Sequence, residues 1–116
     1  VSAPVIKTAI PKRRYQLGEF LVTVLGEVES GDGVDYRYIM AVVQEANPKP
    51  NLFLSIEPNS GEIGEGRWAL RVSMPDGSQV IGASDKWGDL DTFTREGLSM
   101  VQKILALEDE MAYQLA

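Results

Sequence analysis

The chain has 116 residues, of which 44% are hydrophobic, with no cysteine, no histidine and a formal net charge of -6. That length makes one domain, and the apolar share is that of a globular chain able to fold without disulfides or a structural metal. The missing residue types exclude thiolate nucleophiles, imidazole triads, haem ligation by histidine and zinc sites of the Cys/His kind, and seventeen acids against eleven bases argue against a wholly electrostatic hold on nucleic acid or anionic lipid.

The charge is uneven. Residues 1–14 hold Lys7, Lys12, Arg13 and Arg14 and no acid, which leaves the rest of the chain with seven bases and all seventeen acids. These residues read as a basic N-terminal arm. Pro4 and Pro11 interrupt any ladder, so the arm adds at most one short edge strand over residues 5–10. No basic region followed by a sustained apolar one begins the chain, so no signal peptide is expected. The longest apolar stretch, residues 20–25, is far short of the roughly 20 residues that cross a bilayer. Together with the cysteine-free composition this points to a cytoplasmic protein.

Residues 15–29 carry apolar side chains that fit both helical and strand spacing. Strand is the better reading: Val, Thr and Phe suit a pleated surface, and Gly18 and Gly26 would each weaken a helix by about 1 kcal/mol. The two glycines then mark bulges or points of close packing. Residues 36–46 form a second strand in which Tyr38, Met40 and Val42 oppose Ile39, Ala41 and Val43. Both faces are apolar, as in a central strand. Residues 47–51 contain Pro48 and Pro50 and read as a connection. A third strand covers 52–57, and 58–66 is a long glycine-rich connection.

Residues 67–74 alternate most cleanly, with Trp68, Leu70, Val72 and Met74 facing in and Arg67, Ala69, Arg71 and Ser73 facing out. A turn over 75–78 returns the chain into a strand at 79–84. A two-residue turn at Asp76 and Gly77 would pair Val72 with Ile81 and Leu70 with Ala83. Residues 89–106 form a helix whose inner stripe is Leu90, Phe93, Gly97, Met100, Val101 and Ile104, continued by Leu107, with Asp89, Asp91 and Thr92 available to cap it. The acids at 108–110 oppose the helix dipole, so residues 108–116 are expected to be a frayed helix end and tail. The expected fold is therefore α+β, a single domain over 15–107: an antiparallel meander of about five strands with one C-terminal helix on one face.

No constellation of catalytic, cofactor-binding or metal-ligating residues emerges. The glycines at 61, 64 and 66 precede a strand rather than a helix and are interleaved with glutamates, which would repel phosphate. Asp85, Asp89 and Glu96 stand at positions 1, 5 and 12 of a calcium loop, but Trp87 and Leu90 occupy the positions that need an oxygen ligand and a glycine. Hydrolysis by paired carboxylates needs acids converging in a cleft, whereas here they fall in loops, on outward strand positions and at helix ends. No enzyme is expected.

The feature with most room for function is the outward face of the sheet, where Arg37, Arg67 and Arg71 lie on alternation and Tyr15, Tyr36 and Tyr38 stand near strand starts. Arginines and stacking aromatics on a sheet are one way to hold single-stranded nucleic acid. An antiparallel sheet followed by one helix is similar in architecture to the Whirly-type single-strand binders. Against this stand the net charge and the simpler role of pairing across strands with Glu27, Glu45 or Glu57. Trp68 belongs to the core, and Trp87 reads as a lid over the core edge or else as an interface contact. The leading expectation is a non-enzymatic domain that binds a protein or associates with itself through a sheet edge. The alternative is a single-strand binder using the sheet face and basic arm. The candidate contacts are Lys12, Arg13, Arg14, Tyr36, Arg37, Arg67, Arg71 and Trp87.

Overall fold

Alternating residues give a seven-stranded antiparallel sheet in the computed structural model of the chain, which describes residues 3–61 and 63–115. The expectations for residues 1 and 2, for Glu62 in the glycine loop and for Ala116 in the tail lie outside the described residues. In chain order the elements are β1 (Ile6–Leu17), β2 (Phe20–Ser30), β3 (Tyr38–Gln44), β4 (Asn47–Pro58), β5 (Trp68–Met74), β6 (Gly77–Ser84), a 3-10 turn (Asp85–Gly88), α1 (Leu90–Ile104) and β7 (Ala112–Gln114). The spatial order is β6-β5-β4-β3-β2-β1-β7. Six strands form a meander, and α1 then carries the chain from the β6 edge to the β1 edge, where β7 pairs with β1. The α+β class stands, with seven strands rather than five.

The two additional strands have identifiable causes. The run 15–29 is not one strand. Gly18 adopts φ +57° and turns the chain with Glu19, so that Leu17 pairs back on Phe20. The basic arm is the body of β1, tied to β2 from Ile6 to Leu17. Pro11 is tolerated because β7 and the Leu115 N–H just after it reach only residues 14–17, so the outer side of β1 at Pro11 needs no donor. The tail does not prolong the helix. Ala106 turns it off at φ 55°, with the Leu107 N–H donating to Gln102 O at 2.7 Å and the Ala106 N–H to Lys103 O at 3.3 Å, a Schellman closure built without glycine. The acids at 108–110 lie beyond this stop, and residues 112–114 form β7.

Two further expectations change. Residues 47–51 are strand, with Glu45 and Ala46 as the turn. Pro48 and Pro50 fall between the ladder pairs Gln44–Asn47 and Val42–Leu52, where no N–H is required. The last hairpin turns at Pro75 and Asp76, so Met74 pairs with Gly77, Val72 with Gln79 and Leu70 with Gly82; the extra residue at Ile81 makes a bulge.

Cross-strand partners share a face, and one face collects Tyr15, Val22, Val24, Tyr38, Met40, Val42, Leu54, Ile56 and Leu70 into the core. Helix α1 covers this face. It comes close because Gly97 lies over Met40 and Leu54, where a Cβ would stand 2.7 Å from Met40 Cε. The Phe93 ring stacks on Tyr38 with centroids 5.8 Å apart. Asp89 caps the helix, accepting from the Thr92 N–H at 3.0 Å, and Arg13 on β1 is ion-paired with Asp91. Phe93 and Val101 are fully buried, worth about 1.5–3 kcal/mol each. Ile104, expected in the inner stripe, is 37% exposed.

Candidate functional site

No helix lies on the second face of the sheet among the described residues, and its side chains can be read off the register in rows. One row runs Arg14, Thr23, Ala41, Phe53, Ser73 and Ser78 from β1 to β6; the next runs Leu25, Ile39, Ser55, Arg71 and Val80. Leu21 and Val43 pair above them. In the upper part, Leu21, Ala41, Val43 and Phe53 are half-buried. This is an apolar surface of a kind the outward alternation of β5 alone did not suggest.

The lower part is closed over and polar. The β2–β3 connection folds back so that Asp32, Val34 and Tyr36, with Ala3 and Pro4, line a cavity of about 340 Å³ against Glu57, Arg71 and Ser73. The Val5 N–H donates to Asp32 Oδ2 at 3.1 Å and the Gly31 N–H to Val5 O at 2.8 Å, which ties the two covering segments together. A second depression of about 350 Å³ shares Glu57, Arg71 and Ser78 with the first and extends to Asn59 and Ile63. Arg71 therefore stands between the two. Its Nε donates to Glu57 Oε1 at 2.8 Å and its Nη1 to Ser78 Oγ at 3.0 Å. The Tyr36 hydroxyl donates to Asp32 Oδ2 at 2.8 Å. Burial pushes the Tyr36 phenol well above its usual range, and the bond to Asp32 adds to this.

Beneath these charges lie Ser55 and Ser73, both buried, whose Oγ atoms have no hydrogen-bond partner. Sequence reading missed them because a serine on a strand looks like any outward polar residue. The available signal was that each is flanked in sequence by apolar residues, Ser55 by Leu54 and Ile56 and Ser73 by Val72 and Met74. Paired charges and a neutral phenol can hold a small polar group by mixed donation and acceptance. They provide no activated nucleophile, and no group of three or more carboxylates able to hold a metal ion occurs among the described residues.

The other candidate contacts are dispersed. Lys12 is ion-paired with Glu27 at 2.6 Å, Arg13 is held by Asp91 on the helix side, and Arg14 is exposed on the second face. Arg37 and Arg67 do not share that face with Arg71. They line a separate hollow with Trp68, Asp85, Gly88 and Asp89, beside the 3-10 turn. There Arg37 lies over the Tyr38 ring at 5.1 Å and Arg67 over the Trp68 ring at 5.4 Å. Trp68 is half-buried at this rim rather than enclosed in the core. Tyr15 and Tyr38 belong to the core, so neither offers a ring to a ligand. Trp87 is 6% exposed, its indole N–H donating to Glu96 Oε1 at 3.1 Å, and acts as the lid over the core edge. No helix is long and apolar enough to cross a membrane among the described residues. Compared with known proteins, the chain matches no family model, no curated protein and no solved structure.

Proposed function

We propose that this chain is a non-catalytic interaction domain that recognises a protein partner through the helix-free face of its sheet. The observation that carries this reading is the run of half-buried apolar residues Leu21, Ala41, Val43 and Phe53 across three central strands, on the face where no helix lies among the described residues. Such a centre supplies the dry contact of a protein interface, and the cavity beside Arg71 and Tyr36 supplies a polar socket for one side chain at its border. A cytoplasmic setting belongs to the same proposal.

The test is affinity capture from the source cell with the wild-type chain and with a Val43→Glu, Phe53→Glu double variant. A partner retained by the first and lost by the second supports the reading, given that the variant still melts cooperatively. Equal capture by both, or capture by neither, overturns it.

A second reading, single-stranded nucleic-acid binding, is favoured by the stacked Arg37 and Arg67 beside Trp68. Asp85 and Asp89 line the same hollow, and Lys12, Arg13 and Arg71 are each held by a carboxylate. A salt titration with labelled single-stranded DNA and RNA separates the two readings, because phosphate contacts are strongest at low ionic strength.

A further inference from the structure

The two edges of the sheet are built differently. The outer side of β1 carries Pro11, three register shifts against β2, the bases Lys7, Lys12, Arg13 and Arg14, and is partly covered by β7. These are the devices by which natural proteins keep an edge from pairing with another chain. The outer side of β6 has almost none of them. Gly77–Ser84 contains no charged residue and no proline, and residues 77–80 keep unbroken register with β5. In a chain of net charge -6, this strand adds no charge of its own between two approaching copies.

A second observation lies beside it. On the helix side of β6, Val72, Met74, Ile81 and Ile104 line a mainly apolar hollow of about 490 Å³, with Gln79 beside them and Asp76 at its turn end. Ile81, thrown out by the bulge, is 44% exposed, and Ile104 at the end of α1 is 37% exposed. A two-fold axis normal to the sheet would set β6 antiparallel to β6 of a second copy and keep both helices on the same side. Under that one operation the unpaired backbone of each edge meets its like, and the two isoleucine patches face each other across the seam.

We propose that β6 is a self-association edge, joining two copies of this chain into one continuous antiparallel sheet with Ile81 and Ile104 of each closing the seam. A short strand and two isoleucines per copy bury less than the roughly 1,200 Å² of a standard interface, so the dimer dissociates in the micromolar range. Because the strand itself carries no charge and Asp76 and Asp85 lie at its two ends, added salt should weaken the dimer little and at most strengthen it slightly by screening these acids.

Sedimentation velocity of the whole chain from about 5 to 500 μM reads this directly, since that range spans micromolar dissociation. The wild type should shift from monomer to dimer, and Ile81→Lys and Ile104→Lys should weaken association at least tenfold while melting close to wild type. Hydrogen exchange at residues 77–80 of the wild type should slow as concentration rises. Should Ile81→Lys misfold, Gln79→Lys, at an exposed position of the same strand, takes its place. Val43→Glu should leave the dimer intact, which keeps this proposal separate from the partner-binding face. A wild type that stays monomeric throughout, or β6 variants that associate like wild type, overturns it.

Discussion

The hydroxyl of Tyr36 donates to Asp32 Oδ2 at 2.8 Å, bracing the β2–β3 connection on itself where it folds over the helix-free face. Burial alone would raise the Asp32 carboxyl. The bonds it accepts from Tyr36 and from the Val5 and Val34 N–H groups outweigh that and hold it below its ordinary value. A depressed carboxyl stabilises the fold above its unfolded pKa of about 3.9 and ceases to do so as pH falls through the folded value. The raised Tyr36 phenol acts at the other end: above about pH 10 the unfolded phenol ionises while the folded one resists, so stability falls as pH rises.

Tyr36→Phe should therefore cost about 1 kcal/mol at pH 7, at the low end for a bond to a charged group because the carboxylate is open to water. Denaturant titrations should show the penalty narrowing near pH 3, and the wild type alone should carry this residue's loss of stability above about pH 10.

Ser55→Ala, Ser73→Ala and Thr94→Val each remove a buried hydroxyl without a partner. Each should raise stability by about 1 kcal/mol, since the desolvation of the group is relieved and no bond is lost. Chemical denaturation is the measurement.

Gly66 and Gly64 form a paired test of backbone constraint. Both have positive φ, +139° and +74°, but a Cβ on Gly66 would stand 2.7 Å from the Ser84 backbone nitrogen, whereas nothing lies within 4 Å of one on Gly64. Gly66→Ala should cost about 2–4 kcal/mol and Gly64→Ala about 1 kcal/mol, measured by thermal or urea unfolding.

Ala106→Gly should do the reverse. The residue closes the helix in the left-handed region at φ 55°, where glycine has no Cβ penalty, and a gain of about 1 kcal/mol is expected in the melting curve.

Phe93→Ala should cost about 3–5 kcal/mol, because the ring is fully buried and stacked on Tyr38. Circular dichroism during urea unfolding should show helix and sheet lost together, since α1 is the cover of the apolar face.

The strands with strict alternation and the helical stripe around Phe93, Gly97 and Val101 were legible because each pattern has one period and one buried side. The break at Gly18 was not, since apolar residues continue on both sides of the turn and a glycine there reads equally as a bulge. Prolines at 48 and 50 misled because they sit in a strand but opposite no ladder partner. The hairpin register failed by the placement of Gly77, which pairs with Met74 instead of occupying the turn. Arg71 was legible as a surface cation on the sheet. Ser55 and Ser73 join it through strand register, but Tyr36 and Asp32 come to it only through the way the β2–β3 connection folds over the face, which no local periodicity encodes.

The β1–β7 ladder joins Leu17 to Ala112, while each of the other strand pairs links neighbours in sequence. Hairpins zip over short loops, but this last ladder closes a loop of nearly the whole chain for three residue pairs. It is the natural place for the molecule to open first. Amide protons of Tyr113 and Gln114 should exchange through excursions much smaller than global unfolding, making the outer margin of β1 intermittently available while the meander and its helix stay shut.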